Sequence, residues 1–150
     1  MRREILLVVG IVLTALYIIF APQFYESCYY SQGFSDWMYN QNMYLIVAIV
    51  VVLVAWILAF LYYKVIDNIS LSKWYHWLIF FVIAVLLAPA VNIVYPNSVS
   101  TEEGQEFMAD LQNFAIINVA VTAVFFCIAS AALCGFSTNC KYVPVKIVKD

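Results

Sequence analysis

The chain has 150 residues, of which 66% are hydrophobic, 17% are aromatic and only 11% are charged. A soluble domain usually carries about 25% charged residues, and a globule of this length cannot hide so large an apolar share from water. The formal net charge of −2 also argues against a basic surface that binds phosphates. The composition therefore excludes a soluble globular enzyme, a disordered tail and a nucleic-acid-binding protein, and it predicts a protein embedded in the lipid bilayer.

Four uncharged apolar runs are long enough to cross a membrane. A transmembrane helix needs about 20 apolar residues, with a working range of about 17–25. The runs cover residues 5–21, 43–63, 74–95 and 114–136. Helices are expected because none of these runs alternates apolar and polar residues as the strands of a membrane barrel do. The sequence therefore predicts an all-α, four-helix transmembrane bundle that forms a single domain over residues 1–150.

The basic residues predict how the chain is threaded through the membrane. All seven precede the first run, lie between the second and third, or follow the fourth: Arg2, Arg3, Lys64, Lys73, Lys141, Lys146 and Lys149. Lys and Arg that flank membrane spans are retained on the cytoplasmic side. We therefore expect a multi-pass protein of the plasma (inner) membrane with both termini in the cytoplasm, loops 22–42 and 96–113 outside, and a cytoplasmic tail over 137–150.

The first outer loop, residues 22–42, is rich in aromatic side chains. Such rings settle at the level of the lipid headgroups or pack over the ends of helices. The segment is therefore either a cap that seals the bundle or a surface that recognises a partner. The candidate recognition residues are Tyr25, Tyr29, Tyr30, Trp37 and Tyr39.

The second outer loop, residues 96–113, contains the start of a helix. Ser100 and Glu103 have the spacing of a capping box, and apolar residues recur at helical spacing from Phe107 to Phe114. The fourth span is therefore predicted to extend outward by two or three turns, with Gly104 as a weak point.

Polar residues inside the four runs are few, and none is Asp, Glu, Lys or Arg. Proton pumps, ion-coupled transporters and voltage sensors need ionisable groups within the membrane, so these functions are not expected. The amides and hydroxyls that remain either hydrogen-bond between helices or line a water-filled path. Small residues also recur every four positions in the fourth run, which permits close helix approach and favours a homo-oligomer. The candidates for helix packing or pore lining are Asn92, Asn118, Thr122, Ser130, Ala123, Cys127, Ala131 and Gly135.

Residue types that carry chemistry are sparse. The predicted topology places only Cys28 outside, where it is either a free thiol or an intersubunit disulfide partner, and the chain has a single His. Membrane quinone reductases that generate disulfides need paired outer cysteines, and glutathione-dependent membrane transferases rely on arginines near the membrane surface. The chain resembles both families only in its four spans. We therefore expect no catalytic residue, no bound cofactor and no metal, and thus no enzyme.

The tail is the remaining candidate for a binding role. Val143, Val145 and Ile147 alternate with other residues, so the segment either adds as a strand to a cytoplasmic protein or lies along anionic headgroups. The candidate docking residues are Lys141, Lys146 and Lys149.

These observations favour a small non-enzymatic membrane protein. The interpretation is a self-associating sensor, anchor or immunity-type component that binds a partner, for example in a bacterial antiviral-defence or toxin-immunity system. The alternative is a subunit of a homo-oligomeric pore or ion channel, gated by an apolar constriction.

Overall fold

The computed structural model describes residues 3–99, 106–140 and 142–143. Across these ranges the chain is helical and contains no strand. The described residues form five α-helices: α1 (Arg3–Cys28), α2 (Gln32–Asn40), α3 (Met43–Phe60), α4 (Trp74–Val99) and α5 (Met108–Leu133). A π-helical segment (Leu61–Ile66) prolongs α3, a 3-10 turn (Ile69–Leu71) precedes α4, and a second 3-10 turn (Cys134–Phe136) ends α5.

Four of these helices are long and apolar enough to cross a membrane. They extend over Arg3–Cys28, Met43–Ile66, Trp74–Pro96 and Met108–Phe136, with mean hydropathies between 2.3 and 3.1. The shortest, at 23 residues, measures about 35 Å at ~1.5 Å per residue, more than the ~30 Å hydrocarbon layer. The four predicted apolar helices are therefore confirmed, and their lengths and composition are those of a multi-pass membrane protein.

The long helices pack around α3 and α5. These two contact each other, and each also contacts α1 and α4. Gly10 of α1 lies against Ala132 near the end of α5 and Trp56 near the end of α3, so α1 runs antiparallel to both. We call the end that carries α2 and Cys28 the cap end, and the end that carries Arg3 and Asp67 the clasp end.

The segment 22–42, predicted as a loop, is mostly helical. A proline inside a helix removes one backbone hydrogen bond, yet α1 continues through Pro22 to Cys28. The extension is held because Ala21 and Tyr25 on either side of Pro22 are fully buried. Helix α2 then follows, with Phe34, Trp37 and Met38 on its buried face.

The start of the fourth span also lies outside its predicted boundary. Helix α5 begins at Met108 rather than at Phe114, in the direction of the predicted extension. Ser100, Glu103 and Gly104, on which the predicted helix start and its weak point depended, lie outside the described residues.

Candidate functional site

A cluster of aromatic rings closes the cap end. At its centre, Phe114 of α5 lies 4.7 Å from Tyr25 of α1, 5.8 Å from Phe34 of α2 and 6.0 Å from Tyr44 of α3, measured between ring centroids. The rings of Tyr25 and Tyr44 are stacked and nearly parallel, with an interplanar angle of 13°. Ring pairs at such separations attract each other beyond the area they bury. Four different helices are therefore joined at a single ring.

A chain of hydrogen bonds enters the bundle from this cluster. The hydroxyls of Tyr17 and Tyr25 lie 2.5 Å apart, and Tyr25 donates to Oδ1 of Asn118 at 2.7 Å. The Asn118 amide nitrogen in turn donates to the carbonyl of Phe114 at 3.3 Å. Asn118 is fully buried, and an amide in that position is costly unless its polar atoms are paired. These hydrogen bonds thus give both polar atoms of the Asn118 amide a partner and hold α1 against α5.

A second polar contact joins the segment between α1 and α2 to the start of α5. Tyr29 donates its hydroxyl hydrogen to Asp110 Oδ1 at 2.5 Å. This bond to a carboxylate stabilises the protonated phenol and raises the pKa of Tyr29 above its usual value. The contact holds the entry to α2 close to α5.

The five predicted recognition residues fall into two groups. Tyr25 is fully buried and Trp37 is 7% exposed, so both belong to the interior of the cap. Tyr30 and Tyr39 are more than 60% exposed, and Tyr29 is half-buried. A partner at the cap end would therefore contact Tyr30 and Tyr39 directly, while Tyr25 and Trp37 support the surface from beneath.

The predicted polar packing residues lie inside the bundle. Asn118, Thr122 and Ser130 are fully buried. Thr122 donates to the carbonyl of Asn118 at 2.6 Å, and the indole N–H of Trp77 in α4 donates to Ser130 Oγ at 3.1 Å. These hydroxyls are therefore engaged with their neighbours.

Asn92 of α4 differs from the other buried polar residues. It is 3% exposed, and its amide nitrogen has no hydrogen-bond partner among the described residues. Asn118, the other buried amide of the predicted set, is paired with Tyr25.

The predicted stripe of small residues runs along α5 at Ala123, Cys127 and Ala131 and continues to Gly135 in the 3-10 turn that follows. All four residues are half-buried. Gly135 faces the first turn of α1, where a Cβ atom would lie 2.9 Å from Cβ of Arg3. This glycine therefore serves the packing of α1 within the chain.

The clasp end is organised by one carboxylate, in the connection between α3 and α4, that sequence reasoning did not identify. Asp67 accepts four hydrogen bonds, at 2.6, 2.8, 2.8 and 3.0 Å, from Ser137 Oγ and from the backbone N–H groups of Thr138, Asn139 and Cys140. We call this arrangement the Asp67 clasp. The Ser137 hydroxyl, followed by the backbone donors, holds the pKa of Asp67 well below its usual range.

Further contacts extend the clasp on both sides. The side-chain amide of Asn139 donates to the carbonyl of Asp67 at 2.9 Å, and the backbone N–H of Cys140 also bonds to Ser137 Oγ at 2.9 Å. Tyr63 donates to the carbonyl of Tyr142 at 2.5 Å. Burial raises the pKa of the Cys140 thiol. The first residues after α5 are thus bound to the connection between α3 and α4.

The predicted tail is held against the bundle at Tyr142, whose ring centroid lies 5.8 Å from that of Trp77. Its predicted docking residues, Lys141, Lys146 and Lys149, lie outside the described residues. The Asp67 clasp fixes the position of residues 138–140, which precede the predicted docking residues.

Both ends contain packed rings and hydrogen bonds. Over the described ranges, no group of three or more His, Cys, Asp or Glu side chains is placed to hold a metal ion. A comparison with protein-family models, with curated proteins and with solved structures finds no match to this chain.

Proposed function

We propose that this chain is a non-enzymatic, self-associating membrane anchor or sensor that presents its tail to a cytoplasmic protein partner. The observation that carries the proposal is the Asp67 clasp. A carboxylate whose oxygens already accept four bonds from the same chain is an attachment point rather than a general base. It gives the tail a defined origin against the α3–α4 connection, as a segment that docks on a partner requires.

The distribution of charge supports a location in the plasma (inner) membrane with both termini in the cytoplasm. Among the described residues, every cation lies at the clasp end, at Arg3, Lys64 and Lys73. The cap end instead carries acidic side chains, including Glu26 and Asp36. Because Lys and Arg are retained on the cytoplasmic side, the clasp end is assigned to the cytoplasm and the cap end to the outside.

We propose that the chain self-associates through the half-buried stripe of small residues on α5. Ala123, Cys127 and Ala131 leave part of their surface free, and small residues allow a second helix to approach closely. Subunit counting by single-molecule photobleaching in nanodiscs tests this part. We expect an oligomer for the native chain and dissociation for Ala131→Phe, and a native monomer would contradict self-association.

Proximity labelling in cells tests the partner role. A biotin ligase is fused before Met1, and labelling is compared between the full chain, a chain lacking residues 141–150, Asp67→Ala and the matched control Asp36→Ala. Asp36 is an exposed carboxylate at the opposite end. We expect a protein that is labelled by the full chain and by Asp36→Ala, lost without the tail, and reduced with Asp67→Ala. Equal labelling by the full chain and the tailless chain would contradict the proposal.

The alternative, a pore, is tested by conductance of the purified protein in planar bilayers. The engagement of Asn118, Thr122 and Ser130 in hydrogen bonds within the chain favours packing over pore lining. We therefore expect no sustained current. A stable conductance that Asn118→Leu alters would replace the anchor proposal with a channel.

A further inference from the structure

At the clasp end, the segment that follows α5 depends on the end of α3 for its hydrogen bonds. We call residues 61–68 the α3 terminus, and residues 137–140 together with residue 142 the docked segment. Apart from the turn that ends α5, every hydrogen bond that joins the docked segment to another described part of the chain ends in the α3 terminus. The three residues that receive these bonds or donate them are Tyr63, Asp67 and Asn68.

The α3 terminus depends on the docked segment in return. Its residues Leu61–Ile66 are π-helical. Such turns are rare and occur mostly inside α-helices, where regular turns on both sides hold them. Here the helix ends at the next residue, Asp67, so the π-helical turn has a regular helix on one side only. Contacts from outside the helix must therefore hold its other side, and the Asp67 clasp supplies them.

Two consecutive tyrosines of the α3 terminus are held by different parts of the chain. Tyr62 and Tyr63 are both fully buried. Tyr62 packs against Phe80 of α4, with 5.4 Å between ring centroids, and donates to the carbonyl of Leu71 at 3.2 Å. Tyr63 donates to the carbonyl of Tyr142 in the docked segment. If the docked segment leaves, Tyr62 keeps these contacts and Tyr63 loses its acceptor, so loosening of the helix should begin after Tyr62.

The docked segment turns one side toward the bundle and the other toward solvent. Ser137 and Cys140 are 6% and 0% exposed, and the Cys140 thiol lies 3.7 Å from the carbonyl oxygen of Asn68. Thr138, between them, is exposed. A partner that binds the whole docked segment must therefore displace it from the α3 terminus, and the partner and the α3 terminus compete for the same residues.

We propose that the α3 terminus and the docked segment form one cooperative switch, in which both are ordered together and a partner that draws the docked segment away also loosens α3 after Tyr62. The inference rests on the proposed function for the partner that operates the switch, and it names how that partner's site is regulated. Coupling between two sites is reciprocal, so a change that loosens the α3 terminus also makes the tail available. The partner's apparent affinity is lowered in proportion to the fraction of chains in which the segment is released.

Hydrogen exchange of the full chain in nanodiscs, followed by mass spectrometry, tests the coupling from the side of the docked segment. Ser137→Ala removes one donor to Asp67 and leaves the sequence of α3 unchanged. We expect exchange at residues 64–67 to rise about fivefold or more, the lower end of the usual coupling between sites, while residues 51–55 exchange as in the native chain. Thr138→Ala is the matched control, because this side chain is exposed and alanine keeps the backbone N–H that Asp67 accepts.

A second variant tests the coupling from the side of α3. Tyr63→Phe keeps the buried ring and removes the hydroxyl that donates to Tyr142. We expect exchange at residues 138–140 to rise by a factor of the same order as that at residues 64–67 in Ser137→Ala, because coupling acts equally in both directions. Tyr75→Phe, the control, removes the hydroxyl of a tyrosine that is 41% exposed at the start of α4, and it should leave both segments unchanged.

Two results would overturn the proposal. One is exchange that rises only in the segment that carries the substitution, and the other is a rise along the whole of α3, which would show general destabilisation. Thermal unfolding in the same nanodiscs checks that the variants fold, and Ser137→Ala alone decides the outcome if Tyr63→Phe does not. Proximity labelling separates this inference from the proposed function. Absence of a partner would refute the proposed function and leave the coupling standing, whereas independent exchange of the two segments would refute the switch even if a partner is found.

Discussion

The two ends of the molecule differ in the contacts that hold their outermost segments. The cap end is closed by stacked and edge-on rings around Phe114, with the buried bond from Tyr25 to Asn118 beneath them. The clasp end also packs rings, with Tyr62 4.8 Å from Tyr63 and Trp77 5.8 Å from Tyr142 between centroids. The segment that follows α5 is held there by hydrogen bonds to a single carboxylate, Asp67. Ring packing acts over many atoms and resists local opening, whereas a cluster of bonds to one residue is lost with that residue. The cap end is therefore expected to resist local unfolding. At the clasp end, loss of Asp67 alone should release the segment that follows α5.

The largest expected effect is at the centre of the cap. Phe114→Ala removes the ring that joins four helices and should destabilise the fold by about 3–5 kcal/mol, because the surrounding rings cannot collapse fully into the space. The matched control is Ile116→Ala on the same helix, where the side chain is 70% exposed. Unfolding in mixed micelles with increasing SDS measures both. Equal loss of stability in the two variants would show that the cap is not a packed centre.

The buried hydrogen bond beneath the rings should contribute less than the rings. Tyr25→Phe keeps the ring but leaves Oδ1 of Asn118 without its donor, at a cost of about 1–3 kcal/mol. Tyr30→Phe, which changes a tyrosine that is 66% exposed, is the control and should be near neutral. The same SDS titration compares the two variants. An unchanged unfolding midpoint for Tyr25→Phe would show that this bond does not stabilise the fold.

At the clasp, the expected effect is local rather than global. Asp67→Ala deprives the N–H groups of Thr138 and Asn139 of their acceptor and leaves that of Cys140 only Ser137 Oγ. Hydrogen exchange at residues 138–140 should therefore rise, toward unprotected rates at Thr138 and Asn139 and by less at Cys140. Amides in the middle of α5 should exchange as in the native chain, because their bonds lie within the helix. Exchange followed by mass spectrometry resolves the two segments. Continued protection of residues 138–140 would contradict the clasp.

The smallest expected effect is that of mild acid. A carboxyl whose pKa is lowered in the folded protein contributes stability above its unfolded pKa of about 3.9 and loses that contribution as the pH falls through the folded value. Since the pKa of Asp67 is well below its usual range, the clasp should persist from pH 7 to about pH 4. After correction for intrinsic rates, exchange at residues 138–140 should be equally protected at both values. Release of these amides near pH 5 would contradict the assigned bonds.

The four spans were predictable because lipid imposes a constraint on each segment separately. A helix must satisfy its own backbone and match the thickness of the bilayer, so the runs at 43–63 and 74–95 coincide closely with helices that begin at Met43 and Trp74. The continuation of α1 through Pro22 was not predictable from local rules, because it depends on the burial of Tyr25 against other helices.

Both ends depend on contacts that span much of the chain. Asp67 meets its donors about 70 residues later in the sequence, and no spacing rule connects a turn carboxylate to such a distant segment. Helix α2 did leave a signal, since Phe34, Trp37 and Met38 have the i, i+3, i+4 spacing of a helix with one apolar face. That signal distinguishes a packed cap from a flexible loop, but it does not say which rings the helix meets.

The placement of the two ends on opposite sides of the membrane is the claim from which the partner proposal follows, and thiol labelling in intact cells tests it most directly. Cys28 is exposed at the cap end, and Thr138 is exposed at the clasp end. A membrane-impermeant maleimide should label native Cys28 from outside. On a Cys28→Ser background, Thr138→Cys should react only after the membrane is permeabilised. Labelling of Thr138→Cys in intact cells, with Cys28 protected, would contradict the account.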